Sequence, residues 1–209
     1  MEKKYELIKD DTLSWKSLEG ETITLYRIRA LKDFECPIKE DSLFNITVNK
    51  GDLGGYIEKE ENLSHDGGCW VFHKARVYGN AQVLENACLY NLANVFGNAV
   101  VKGYARLLGS AYVYGDCVIS DHVELDGYVS VGDTSKLSGS LSIRDNCQVH
   151  GESVLDGDIS LGGSVLVSNA KLIGEVSLSG AFTINFDVSD NNDIVGYVIN
   201  LRTDGSVSP

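Results

Sequence analysis

From about Val71 to Val118 the chain repeats a pattern of six residues: VFHKAR, VYGNAQ, VLENAC, LYNLAN, VFGNAV, VKGYAR, LLGSAY and VYGDCV. Each unit opens with Val or Leu and carries Ala or Cys at its fifth place. Gly-Asn, or a close variant, usually fills the third and fourth places. Apolar–polar alternation alone predicts a half-buried strand. A fixed period of six adds a turn after each short strand. Three such strands make one triangular coil, and stacked coils make a β-solenoid.

The phase extends in both directions. Toward the N-terminus, Leu53-Gly-Gly-Tyr-Ile57-Glu fits in full, while the units beginning at Lys59 and His65 keep only the fifth-place Leu63 and Cys69. Toward the C-terminus the openers are Ile119, Leu125, Val131, Leu137, Ile143, Val149, Leu155 and Leu161. One residue then drops out, with Leu161-Gly-Gly-Ser-Val165 followed at once by Leu166, and Leu172, Leu178 and Ile184 continue the step. Paired glycines tighten a corner without steric cost, which places the short unit there.

First and fifth places point inward, second and sixth outward, and third and fourth form the corner. Residues eighteen apart then stack. Three aliphatic columns follow, headed by Val71, Val77 and Val83. The fifth-place alanines, among them Ala81, Ala87, Ala99 and Ala111, sit where the triangle narrows. Gly or Asn suits the corner because both tolerate positive φ.

The outward columns carry the functional signal. One holds Tyr78, Phe96 and Tyr114, with Tyr112 beside it, and stops at Gly132. The next holds Trp70, Phe72, Tyr90 and Leu108, and the third Leu84, Val100 and Val118. Below that level the outward places turn polar and acidic. An apolar patch on one level of a soluble protein marks an interface. A homotrimer through the Trp70–Val118 patch is therefore expected.

The flanks lack the period. Residues 1–52 read as an N-terminal β cap, with strands at Tyr5–Ile8, Glu21–Leu31 and Leu43–Val48 and a loop over Lys32–Ser42; residues 53–189 form the β-helix. Residues 190–209 read as a C-terminal cap and tail, with a turn at Asp190-Asn-Asn-Asp193 and a strand over Ile194–Leu201. Caps are needed because each end of a solenoid exposes unpaired backbone groups.

These units resemble the hexapeptide-repeat proteins, best known from acyltransferases. The segment around Asp52-Leu-Gly-Gly-Tyr-Ile-Glu, Asn62-Leu-Ser-His and Cys69-Trp-Val, followed by Gly-Asn-Ala units, is similar to the YdcK-like proteins of phages and prophages. The resemblance covers roughly residues 26–118. It implies a single-stranded left-handed parallel β-helix, all-β, with three units per coil, often trimeric. The period itself does not fix the hand.

Charge narrows the partners. The net charge is −12, and it is uneven: residues 1–50 hold ten acids and nine bases, residues 51–209 twenty acids and nine bases. Such a field disfavours direct nucleic-acid binding. The sequence has neither an apolar run of membrane-spanning length nor a signal-peptide core, so a cytoplasmic location in a bacterial host is expected and no membrane partner. Five cysteines do not make a disulfide framework. Cys69, Cys117 and Cys147 replace Ala at fifth places, and Cys88, at a sixth place, is expected to point outward.

The four histidines are His65, His73, His122 and His150. Family acyltransferases use a histidine base at a subunit boundary with acyl-CoA bound between helices. His73 is the catalytic candidate, because it adjoins the aromatic patch, and acetyl-CoA would be the cofactor. His73 and His122 lie on different corners, and no loop interrupts the coils from Val71 to Ser160, which argues against that chemistry. No three histidines share a column, so no metal is expected. Asp121, Glu124 and Asp126, or Asp156 and Asp158, read as a solvated acidic face. The sequence thus favours a non-catalytic homotrimeric module, phage- or prophage-encoded, that engages a host protein or a small ligand, with a counter-defence role as one setting. The alternatives are an acyl-CoA-dependent acyltransferase and a phage structural component.

Overall fold

The computed structural model describes residues 2–17, 19–38 and 45–150, and the backbone of short strands at 154–156, 160–161, 166–168, 171–173 and 183–185. The C-terminal turn and the strand expected over Ile194–Leu201 lie outside the described residues. The chain is an all-β parallel β-helix with three units per turn. Strands eighteen residues apart pair in register on all three sides, as Val71 with Leu89, Val77 with Val95 and Val83 with Val101. We label the side that begins at Trp70–Val71 face A, that of Arg76–Val77 face B and that of Gln82–Val83 face C. Faces A and C are each six strands deep. Face B belongs to a ten-stranded sheet.

The interior is built as the period dictates. First-place residues from Val71 to Val149 and fifth-place residues from Cys69 to Cys147 are fully buried, at 0–1% exposure. A positive φ recurs at every third place from Gly67 to Asp145, in glycines such as Gly97 and in His73, Glu85, Asn91, Asp121, Asp133 and Asp145. The corner turns by one left-handed residue per unit. Its sequence signature of Gly, Asn or Asp follows from that single torsion.

The corner also explains which polar side chains appear there. The fourth-place N–H donates to the third-place carbonyl of the next coil, as Asn86 to Gly103 at 3.0 Å. The third-place N–H is outside this ladder. Acceptor side chains one coil above reach it: Glu85 Oε2 accepts from Gly103 N–H at 2.9 Å and Asp121 Oδ2 from Gly139 N–H at 3.0 Å.

Three expectations about register are corrected. Leu53–Ile57 does not keep the six-residue phase: Ile57 pairs with Val77, twenty on, and Leu53, expected to point inward, is 51% exposed. Val149 pairs with Val167, eighteen on, and Leu155 with Leu172, seventeen on. The shortened unit therefore lies between Val167 and Leu172, one unit later than the Gly162-Gly163 pair suggested, and the opener is Val167 rather than Leu166. Adjacent aliphatics at 165–167 offered two phases, and only cross-coil pairing chooses between them. The degenerate unit at Lys59 is also not a coil strand. Glu60–Asn62 forms a single 3₁₀ turn. The buried Asn62 holds it by donating to Gly79 O at 3.1 Å and Ala81 O at 2.8 Å, and by accepting from Lys59 N–H at 2.9 Å.

The N-terminal segment extends face B and then folds over face A. Strand β1, Tyr5–Lys16, pairs antiparallel with β2, Thr22–Ala30. A further strand, Leu53–Ile57, lies between β2 and Arg76–Val77. β1 runs well past the expected end at Ile8. Its polar Lys9-Asp10-Asp11 stretch is a bulge between the pairs Ile8–Arg27 and Thr12–Tyr26, after which the strand resumes. Asp11 is held there by the Tyr56 hydroxyl, which donates at 3.0 Å.

The expected loop over Lys32–Ser42 contains β3, Phe34–Pro37, paired antiparallel with β4, Asn45–Val48. β3 forms because Phe34 and Cys36 both have apolar surface to cover on face A. The Phe34 ring meets Trp70 edge-on at 5.3 Å, and Gly68 leaves no room for a Cβ against Glu35 O and Pro37.

The start of β1 is anchored beneath this layer. The buried Lys4 ammonium donates to Gly67 O at 3.2 Å and Cys69 O at 2.9 Å, and lies 5.3 Å from the Phe34 ring centre. Tyr5 stacks on His65 at 4.4 Å and donates its hydroxyl proton toward Leu63 O at 2.8 Å.

Candidate interaction surface

The four histidines are fixed by the scaffold in different ways. His73 sits at a left-handed corner, and its Nδ1 accepts the Asn91 N–H at 3.2 Å. It does at its corner what Glu85 and Asp121 do at theirs. A neutral ring that accepts at Nδ1 carries its proton on Nε2, so the second nitrogen is a donor and offers no lone pair to a substrate. His122 stacks on Tyr104 at 5.2 Å. His150 Nδ1 is 3.2 Å from the Tyr114 hydroxyl. His65 lies under β1, where its Nδ1 accepts the Lys4 N–H at 3.2 Å and burial holds its pKa below the ordinary histidine value. The structure does not bring these rings together. Among the described residues no three His, Cys, Asp or Glu side chains group to hold a metal.

The outward aromatic residues divide by face. On face A, Trp70 is 1% exposed, enclosed by Phe34 and by Tyr5 of its own chain. It is inside the protomer and is withdrawn from the expected interface. Cys88 keeps its expected outward register but is likewise buried, at 2%, because Cys36 of β3 lies against it. All five cysteines are free and buried. Lower on this face Phe72 and Tyr90 stack at 4.7 Å. The Arg106 guanidinium lies 5.7 Å from the Tyr90 centroid and donates to Glu124 at 3.1 Å. Burial pushes the Tyr90 hydroxyl pKa up. Leu108, on the same face, is half-buried, as are Val100 and Val118 on face C.

Face B carries a continuous ladder. Trp15 of β1 meets Tyr78 edge-on at 5.3 Å, Tyr78 stacks on Phe96 at 5.0 Å, and Phe96 stacks on Tyr114 at 5.5 Å. The ladder ends because the Tyr114 ring bends across Gly132 toward His150. A Cβ on Gly132 would stand 2.4 Å from Tyr114 Cζ. Stacking one ring per coil matches ring thickness to the spacing between strands.

The most exposed large apolar residues are not all in the columns that the sequence singled out. Tyr112, 47% exposed, was among them, but Leu92 at 49% and Tyr128 at 72% were not. Both occupy fourth places, on the corner that leads into face B. Counting only second and sixth places as outward passed over them. The available signal was a bulky apolar side chain where other units of that corner carry Lys74, Ser110 or Asn146.

No protein-family model matches the chain. No curated protein matches its sequence either. Among the described residues no helix is long and apolar enough to cross a membrane.

Proposed function

We propose that the chain is a non-catalytic, homotrimeric β-helix binding module of the bacterial cytoplasm, encoded by a phage or prophage, which engages a host protein or a small ligand held between subunits. The observation that carries this reading is the use to which the chain puts its reactive side chains. His73, the strongest candidate base, supplies a corner acceptor for Asn91, while the outward aromatic rings are aligned into ladders with exposed Tyr112 and Tyr128 beside them. The phage or prophage setting rests on the sequence resemblance.

Two measurements test the reading. Light scattering of the purified chain is expected to give three times the 22.7 kDa chain mass. Incubation with acetyl-CoA and a panel of amine and hydroxyl acceptors, followed by free-thiol release, is expected to show no turnover above background. Turnover that vanishes in His73→Ala would replace the binding module with a hexapeptide-type acyltransferase.

A further inference from the structure

Three of the five cysteines meet where the N-terminal segment folds over face A. Cys69, at a fifth place, points into the solenoid and is fully buried. Its Sγ lies 3.3 Å from the buried Lys4 ammonium, which also donates to Cys69 O at 2.9 Å. Cys88 points out of the same wall, one coil on from Trp70. Cys36 of β3 lies against Cys88 from outside. These two thiols belong to different layers, and both are enclosed, Cys36 at 1% and Cys88 at 2% exposure.

The backbone fixes that approach. A Cβ on Gly68 would stand 2.4 Å from Glu35 O and 2.5 Å from Pro37 Cδ, so the residues on either side of Cys36 rest on the Gly68 backbone. The Gly68 carbonyl oxygen is in turn 3.9 Å from Cys88 Sγ. Residues two apart on a strand share a face. Phe34 and Cys36 therefore turn the same way, and they cover Trp70 and Cys88, which are paired in the face A ladder.

The hairpin that carries Cys36 is not part of the coil sheets. β3 and β4 form a two-stranded sheet of their own. A hairpin of two strands is marginal by itself, so packing on face A holds it in place. It can open locally without breaking a ladder bond of the coils, and opening uncovers Cys36 and Cys88 together.

We propose that Cys36 and Cys88 are a redox clip: a small-molecule disulfide oxidises the two thiols to a Cys36–Cys88 disulfide that fastens the β3–β4 hairpin to face A. The step is thiol–disulfide exchange in two halves. The Cys36 thiolate attacks one sulfur of the oxidant and expels the other as a thiolate. The Cys88 thiolate then attacks Cys36 Sγ, forms the bond within the chain and expels the second. The protein gives up two electrons and two protons, and the oxidant leaves as two thiols. Cys69 takes no part, because its thiol points inward and against Lys4. The cross-link joins residues far apart in sequence, so it removes much of the freedom of the unfolded chain.

The test uses the full chain, folded, incubated with oxidised glutathione and then digested and mapped without reduction. Two of the five free thiols are expected to be lost, with Cys36 and Cys88 recovered as a linked peptide pair. The melting midpoint of the oxidised chain is expected to rise by roughly 4–16 °C. Dithiothreitol should reverse both changes. Cys36→Ser and Cys88→Ser should each abolish the rise, and Cys69→Ser should keep it. The peptide map is read on the wild type and does not depend on how well a variant folds. Five thiols that survive the oxidant, a pair that includes Cys69, Cys117 or Cys147, or a glutathione adduct that Cys88 does not displace each overturns the assignment. A Cys36–Cys88 pair that forms without raising the midpoint refutes the fastening role.

Discussion

Gly132 is the position at which the face B ladder can be tested one atom at a time. Its φ is outside the left-handed region, so alanine fits the backbone. The added methyl would stand 2.4 Å from Tyr114 Cζ and 2.6 Å from its hydroxyl oxygen. Ordinary carbon contacts begin near ~3.5 Å, so the ring must retreat by roughly 1 Å. That movement breaks the hydrogen bond between Tyr114 and His150, worth about 0.5–1.5 kcal/mol. It also disturbs the stack on Phe96, worth about 0.5–1.5 kcal/mol beyond area burial. Gly132→Ala should therefore destabilise by about 1–3 kcal/mol. In a Tyr114→Ala background these close contacts are gone and the same change should cost much less. Urea and thermal unfolding of the four members of this cycle, at one fixed protein concentration, give the coupling directly. An equal cost in both backgrounds would show that Gly132 is required for some other reason and that Tyr114 does not lie across it.

The scaffold makes further predictions. Ala99→Leu should cost roughly 1–3 kcal/mol or more through overpacking, since Ala99 is 0% exposed; an unchanged melting midpoint would refute the inward register. Asn62→Ala removes the side chain that ties the 3₁₀ turn to Gly79 O and Ala81 O, and the urea midpoint should fall by an amount equivalent to about 2 kcal/mol or more. Burial of His65 disfavours its charged form, so the unfolded chain takes up the proton first. The stability this contributes is present above an unfolded pKa near ~6.5 and is lost as pH falls through the lower folded value. The melting midpoint should drop between about pH 7 and pH 5, and His65→Gln, which keeps an acceptor for Lys4 N–H but does not titrate, should reduce that drop.

The solenoid was legible because one period carries several independent constraints. The aliphatic opener, the small fifth place and the left-handed third place must all stay in phase, so a wrong register would bury Lys102 or expose Val101. Where a constraint is duplicated, phase is lost: Leu166 and Val167 are equally good openers, so the sequence pattern places the short unit one unit too early. The N-terminal segment was less legible because its contacts are non-local. Nothing in Phe34-Glu-Cys-Pro37 alone says that its alternate residues will cover Trp70 and Cys88. The period assigned those two residues to the outside correctly. They are buried by another part of the chain that the period does not describe.

The candidate site shows the same division. A solenoid uses its inward places for packing and its third places for the left-handed turn, which leaves the outward and fourth places freer to vary with function. A histidine in this fold must therefore be judged by its place before its chemistry. At a third place the side chain leaves a left-handed residue and projects along the stack toward the N–H of the next corner. Glu85 and Asp121 meet that N–H at their own corners, so the interaction does not depend on an imidazole. His73 satisfies the same requirement, and the requirement consumes the lone pair that catalysis would need. The fourth place gives its own N–H to the ladder, and its side chain is more varied, from Asn86, which accepts the Gly68 N–H at 3.0 Å, to Leu92 and Tyr128. A large apolar side chain there is only partly covered by the protomer that carries it: Leu92 stays 49% exposed and Tyr128 72%. That is the physical reason to look for its partner on another molecule.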